Sequence, residues 1–150
     1  MLRDLIAHGD RPGGDWRKMN RKVLLIEDEP NIIEAIRFLL TRDGWLVETH
    51  SDGTDAVAVI RAAKPDLIVL DVMLPGKSGM DILRDLREID ELAGLPVLML
   101  TARGQSRDRD MAEKAGVSRF MTKPFSNTEV VTAVRDLHAQ ATQATQATQT

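Results

Sequence analysis

The chain has 150 residues, 20 Lys+Arg against 23 Asp+Glu, 43% hydrophobic residues, 3% aromatic ones and no cysteine, which suits one domain with a core of ordinary size rather than two. Without cysteine there is no disulfide framework, thiolate zinc site, iron–sulfur cluster or cysteine nucleophile, and apolar runs such as Leu67-Ile68-Val69-Leu70 fall far short of the roughly 20 residues of a membrane span. The formal net charge of −3 offers no basic patch of the kind that drives nucleic-acid binding, although residues 1–22 carry a net +3 and the remainder −6.

Residues 1–21 show no sustained hydrophobic period and include the turn-prone Arg11-Pro12-Gly13-Gly14. They read as a flexible extension without a signal-type apolar stretch, so a cytoplasmic protein is expected. Val23–Ile26 then reads as a strand, and Asn31–Arg42 as a helix with Ile32, Ile36, Leu39 and Leu40 on one face. Pro30 suits the first helical turn, and Asp43-Gly44 closes it. Trp45–Thr49 makes a second strand and Asp55–Ala63 a helix that stops before Pro65. Leu67–Leu70 is apolar throughout, as in a strand covered on both faces. Gly79–Glu91 gives a helix, Val97–Leu100 a fourth strand, Ser106–Ala115 a helix and Arg119–Thr122 a short fifth strand. The last helix opens on the capping box Ser126-Asn127-Thr128-Glu129 and runs through Val130, Val134 and Leu137. Residues 139–150 repeat Ala-Thr-Gln and read as a disordered tail or a frayed helix end. The division is thus an extension (1–21), a domain (22–138) and a low-complexity tail (139–150).

Five strands alternating with five helices imply right-handed crossovers and a doubly wound parallel sheet. In such α/β sheets the chemistry lies at the carboxyl ends of the strands. Those positions here are Glu27-Asp28, Asp71, Thr101 and Lys123, each directly after an apolar run. Carboxylates converging on one crevice repel one another unless a cation joins them. Hard oxygen donors without His or Cys favour Mg²⁺. With one divalent ion and Lys123, three carboxylates make a neutral site. A carboxylate between a metal and an ammonium, with a hydroxyl alongside, is suited to attack phosphorus and become an aspartyl phosphate.

The pattern Glu27-Asp28, Asp71, Thr101 and Lys123-Pro124, with Met73-Leu74-Pro75-Gly76 and Thr101-Ala102-Arg103-Gly104, resembles the receiver domain of two-component response regulators over residues 22–138. The resemblance implies a flavodoxin-like (βα)5 fold with strand order 2-1-3-4-5. It implies that Asp71 accepts a phosphoryl group from a sensor histidine kinase or a phosphotransfer protein. Asp28, Asp71 and the Met73 backbone carbonyl correspond to Mg²⁺ ligands, and Glu27 to one acting through water. Thr101 and Lys123 correspond to the groups that hold phosphoryl oxygens, Phe120 to an aromatic switch that turns inward as Thr101 moves, and Lys123–Pro124 to a cis peptide. Met73 and Arg103 flank the site and should slow self-dephosphorylation by screening the attacking water.

Other readings compete. Asp28 alone also reads as a helix cap, Thr101 as an ordinary strand end, Phe120 as ordinary core and Lys123 as a surface lysine. His8, His50 and His138 are read as surface residues. Gly76-Lys77-Ser78 mimics the end of a P-loop, but the required first glycine falls on Asp71. Asp52-Gly53-Thr54 resembles the haloacid-dehalogenase loop, whose nucleophile would fall on His50. A Mg²⁺-dependent phosphohydrolase lacks a candidate general acid or cap, and a phosphorylation-independent scaffold would not need the full set of site residues. The expected module therefore switches its helix 4, strand 5, helix 5 surface by population shift. Residues 71–125 most resemble receivers of winged-helix transcription factors, with Ser118-Arg119 where that branch has an acidic pair. Only low-complexity residues follow Leu137, so a stand-alone regulator is expected, acting on an unknown downstream protein, with no direct DNA binding and no membrane contact.

Overall fold

A computed structural model describes residues 21–102 and 106–149. The elements are β1 (Lys22–Ile26), α1 (Pro30–Arg42), β2 (Leu46–His50), α2 (Ala56–Ala63), β3 (Leu67–Asp71), α3 (Gly79–Glu88), β4 (Val97–Thr101), α4 (Ser106–Lys114), β5 (Arg119–Thr122) and α5 (Asn127–Gln149). The strands are parallel throughout and ordered β2-β1-β3-β4-β5, the flavodoxin-like order expected. Among the described residues no helix is long and apolar enough to cross a membrane.

Alternation along the strands sends successive side chains to opposite faces. Val23, Leu25, Leu67, Val69, Leu98 and Leu100 pack with α1 (Ile36, Leu40) and α5 (Val130, Ala133, Val134, Leu137). Leu24, Ile26, Ile68, Leu70, Val97 and Met99 pack with α2 (Ala56, Ile60), α3 (Met80, Ile82, Leu83, Leu86) and α4 (Ala112). Every residue of β3 and β4 is buried, which is why their sequences are unbroken apolar runs rather than alternating ones.

Several element ends differ from expectation by a residue or more, and three places are instructive. α3 stops at Glu88 rather than Glu91, because Ile89 is already extended. The Arg87 guanidinium draws the following loop in, donating to Ala93 O at 3.1 Å and Leu95 O at 2.7 Å, and to Gly116 O at 2.7 Å on the α4–β5 turn. Burial of that guanidinium lowers its pKa. The cap of α1 is Glu29, whose carboxylate accepts from Asn31 N at 3.2 Å, so Asp28 does not serve as the cap. The α5 backbone continues through the Ala-Thr-Gln repeats to Gln149, since alanine and glutamine are good helix formers and no breaker intervenes. The capping box at its start forms as expected, with Ser126 N on Glu129 Oε1 at 2.7 Å and Glu129 N on Ser126 Oγ at 3.0 Å.

At the amino end of the sheet a charged cluster joins the first and last elements. Arg135 Nε donates to both Asp43 carboxylate oxygens, at 3.1 and 3.0 Å, and the Trp45 indole N–H donates to Asp43 Oδ2 at 3.3 Å. Arg21 lies over the Trp45 ring, 4.1 Å from its centroid, and His138 meets that ring edge-on at 5.2 Å. His138 is therefore not the surface residue expected: the packing of α5 against α1 brings it onto the tryptophan that follows that helix. His50 is likewise only partly exposed and bonds Asp55 Oδ1 at 2.7 Å. His8 lies outside the described residues.

Candidate functional site

Strand register builds the site as a staircase. Ile26 lies opposite Leu70, so the next residues, Glu27 and Asp71, emerge side by side. Asp71 lies opposite Leu100, so Thr101 stands one step further on, and Thr101 opposite Thr122 puts Lys123 one step beyond that. A slip of one residue in any strand would turn its site residue to the other face. Glu27 is fully buried, and Asp71 and Thr101 are each 3% exposed, whereas Asp28 is exposed. The Lys123–Pro124 peptide is cis, and Lys123 N donates to Thr101 O at 2.6 Å.

Lys123 bridges two of the acids: its Nζ lies 3.1 Å from Glu27 Oε1 and 3.3 Å from Asp71 Oδ1. One carboxylate oxygen from each of Glu27, Asp28 and Asp71 lies within 4.8 Å of the others. Burial raises the Glu27 pKa most, followed by the neighbouring Asp71 charge; the Glu29 N–H and Lys123 act in the opposite direction. Glu27 Oε1 is buried without a hydrogen-bond partner, leaving the Coulombic pull of Lys123 as its compensation among the described residues. A buried carboxylate oxygen in that condition is costly. Three carboxylates against one ammonium leave a charge of −2, and all the donors are hard oxygens, so the residues fit a divalent cation such as Mg²⁺.

Some contacts were not foreseen from the sequence. Lys123 was expected as a counter-charge to the carboxylates and as a partner of phosphoryl oxygens, without Glu27 being named as its partner. The Met73 N–H points to Asp71 Oδ1 at 3.3 Å, and its side chain is 71% exposed. Gly79 N donates to Val72 O at 2.8 Å, and a Cβ at Gly79 would stand 2.9 Å from Val72 Cα; only glycine lets α3 begin this close to the Asp71 strand end. The run Ser78-Gly79 after a loop was the available signal. Phe120 is partly buried against the core face that holds α3 and α4, with the Arg109 guanidinium 5.4 Å from its ring centroid. Arg103 lies outside the described residues.

A profile of the response regulator receiver domain matches residues 23–135. The chain belongs to the response regulator receiver family. Receiver domains are phosphorylation-switched signalling modules of two-component systems rather than classical enzymes. This receiver is 46% identical over 115 residues to the "Probable transcriptional regulatory protein TcrX" of Mycobacterium tuberculosis, covering 77% of this chain and 48% of the relative. It is 41% identical over 117 residues to the alkaline phosphatase synthesis transcriptional regulatory protein PhoP of Bacillus subtilis, covering 78% of this chain and 48% of that protein. Among solved structures, the BeF3-activated N-terminal receiver domain of Klebsiella pneumoniae RstA superposes with a TM-score of 0.74 at 30% identity, covering 79% of this chain and 98% of that one. The chemotaxis response regulator CheY4 of Vibrio cholerae gives 0.73 at 26% identity, with the same two coverages.

The receiver spans about half the length of the curated relatives it matches. This corrects the expectation of a stand-alone regulator acting only on proteins, without direct DNA binding. Both relatives are named as transcriptional regulators, and that expectation rested on the residues after Leu137, which say nothing about what a longer chain carries.

Proposed function

We propose that residues 22–138 act as the receiver unit and that Asp71 is its phospho-acceptor. The observation that carries this is the Asp71 carboxylate itself, buried at a strand end, 3.3 Å from the Lys123 ammonium and clustered with Glu27 and Asp28. An Asp71 carboxylate oxygen attacks the phosphorus of a donor; the bond from phosphorus to the donor's leaving group breaks, and the leaving group departs with the electron pair. Lys123 offers its ammonium to a phosphoryl oxygen and thereby gives up part of its hold on Glu27 and Asp71. Thr101, at the adjoining strand end, offers its hydroxyl to another oxygen. Asp28, Asp71 and the Met73 carbonyl would hold Mg²⁺, with Glu27 acting through water. The ion, when bound, supplies charge neutralisation at the transferring group.

In this reading Phe120 is the aromatic that follows Thr101, and its neighbour Arg109 moves with it on the α4–β5–α5 face. A groove of about 740 Å³ on that face is lined by Arg109, Glu113, Arg119, Phe120, Pro124 and Glu129 among others. Met73 and Arg103, each two residues after a site residue in the sequence, lengthen the lifetime of the phosphoryl group. The protein catalyses only its own phosphorylation and slow dephosphorylation. Intact mass after incubation with acetyl phosphate tests the assignment: a gain of one phosphoryl group is expected with Mg²⁺, with none in its absence and none in Asp71→Ala. Steady donor turnover without a gain would favour the phosphohydrolase.

A further inference from the structure

The two sequence motifs that the phosphoryl chemistry leaves unused, Asp52-Gly53-Thr54 and Gly76-Lys77-Ser78, meet face to face. The first lies between β2 and α2, the second between β3 and α3. Gly53 is buried, and its N–H donates to Pro75 O at 2.9 Å. A Cβ on Gly53 would overlap the Lys77 carbonyl oxygen and stand 2.9 Å from Lys77 C and 3.0 Å from Lys77 N. From the other side, Gly76 has φ +85°, and a Cβ there would overlap Thr54 Oγ1 and lie 2.8 Å from Asp52 Oδ1. Asp52 Oδ1 is itself fixed, accepting from Thr54 N at 2.7 Å. Each glycine is thus the recess into which the other loop fits.

The interlocked segment starts four residues after Asp71. Its far end is pinned by Gly79 N on Val72 O and by the Lys77–Asp85 ion pair. Met73, whose N–H faces Asp71 Oδ1, lies between Asp71 and Pro75, where the interlock begins. The atoms that would meet a Gly53 Cβ are backbone and cannot rotate aside, so residues 75–77 would have to move and carry the Met73 peptide with them. A misplacement of about 1 Å at a reacting centre costs on the order of 100-fold in rate.

We infer that Gly53, on a strand connection that supplies none of the site's side chains, is a positioning residue for the chemistry at Asp71: it sets the distance of the Met73 peptide from the acceptor carboxylate. The inference rests on Asp71 being the acceptor. The nearest atoms that a Gly53 Cβ would meet are backbone atoms of Lys77, which belongs to neither core cluster, so Gly53→Ala should disturb the loop more than the core.

The test uses the full chain and compares wild type, Gly53→Ala and Gly94→Ala. Gly94 is the control because nothing lies within 4 Å of a Cβ built there. Mg²⁺ affinity is measured by calorimetry without any phosphodonor. The rate of phosphoryl gain from acetyl phosphate is measured at saturating Mg²⁺, and the near-ultraviolet dichroism of Trp45, at the opposite end of the sheet, recorded on the same proteins with Trp16→Phe so that one tryptophan remains, reports the fold. Gly53→Ala is expected to bind Mg²⁺ and gain the phosphoryl group at least tenfold less well with an unchanged Trp45 signal, while Gly94→Ala matches wild type. A folded Gly53→Ala protein within twofold of wild type in both quantities would overturn the inference. Should Gly53→Ala fail to fold, Asp52→Ala, which removes the acceptor that holds Thr54 N and so loosens the same loop, decides: a loss of about threefold in Mg²⁺ affinity supports positioning and no loss overturns it. A wild-type protein that binds Mg²⁺ but takes no phosphoryl group would sink the Asp71 assignment instead, and the affinity measurement would still decide the interlock.

Discussion

At the carboxyl end of the sheet three carboxylates cluster beside one ammonium, which pairs with two of them, and a buried oxygen of Glu27 goes without a hydrogen bond. At the amino end Asp43 has the Arg135 guanidinium on both oxygens and the Trp45 indole besides. The consequences for ionisation are opposite. Burial and the Asp71 charge raise the Glu27 pKa, while the Arg135 hydrogen bonds, ahead of any other cause, lower that of Asp43. Excess like charge is kept where a ligand is to be received, and balanced charge where first and last elements must be joined. The comparison separates function from stability along one axis of the molecule.

The largest expected effect breaks the amino end alone. Trp45 is 2% exposed and holds Arg21, Asp43 and His138 together, so Trp45→Ala should cost about 3–5 kcal/mol in a denaturant titration. At temperatures where the variant remains folded, its phosphoryl gain should match wild type; a slowed gain there would show that the two ends are not independent. The next effect sharpens the comparison from the other side. Mg²⁺ at a hundredfold excess over its dissociation constant should add about 2.7 kcal/mol to unfolding stability by mass action. Asp28→Ala should abolish most of that gain, and an unchanged gain would place the ion elsewhere.

The smallest effect is a pH dependence. Burial, and secondarily the Arg21 charge, lower the His138 pKa below 6.5. The unfolded chain therefore takes up the proton first. The associated stability is present above pH 6.5 and is lost as pH falls from there through the lowered value. Denaturant midpoints at pH 7.5 and 5.5 should fall less in His138→Gln than in wild type. Equal falls would place the titration elsewhere.

The chemistry of the site was more legible in the sequence than its surroundings. Glu27, Asp71 and Thr101 each follow an apolar run directly and Lys123 follows the short strand Arg119–Thr122, and a parallel sheet converts that local pattern into a shared crevice. Hydrophobic period likewise located all ten elements. What stayed hidden depends on contacts between distant segments. The stacking of His138 on Trp45, the Lys123–Glu27 pair and the mutual fit of Gly53 and Gly76 have no periodic signature, because each is a match of shapes or charges across the fold. The early stop of α3 was hidden for the same reason, since its cause lies in the carbonyls that Arg87 reaches. For residues 139–150 the low complexity left a disordered tail and a helix end both open, and the backbone is helical to Gln149.

The Arg87 contacts have a mechanical meaning. One planar fork grips Ala93 and Leu95 ahead of β4 and Gly116 ahead of β5, and Ser118 Oγ accepts from Val97 N at 2.9 Å nearby. A lysine would keep the charge but not the spread of donors needed to span three carbonyls. The two turns are thereby riveted into a single plate at the foot of α4. The carboxyl end of that helix is tied to the plate through Gly116, so any displacement of α4 would have to pivot there.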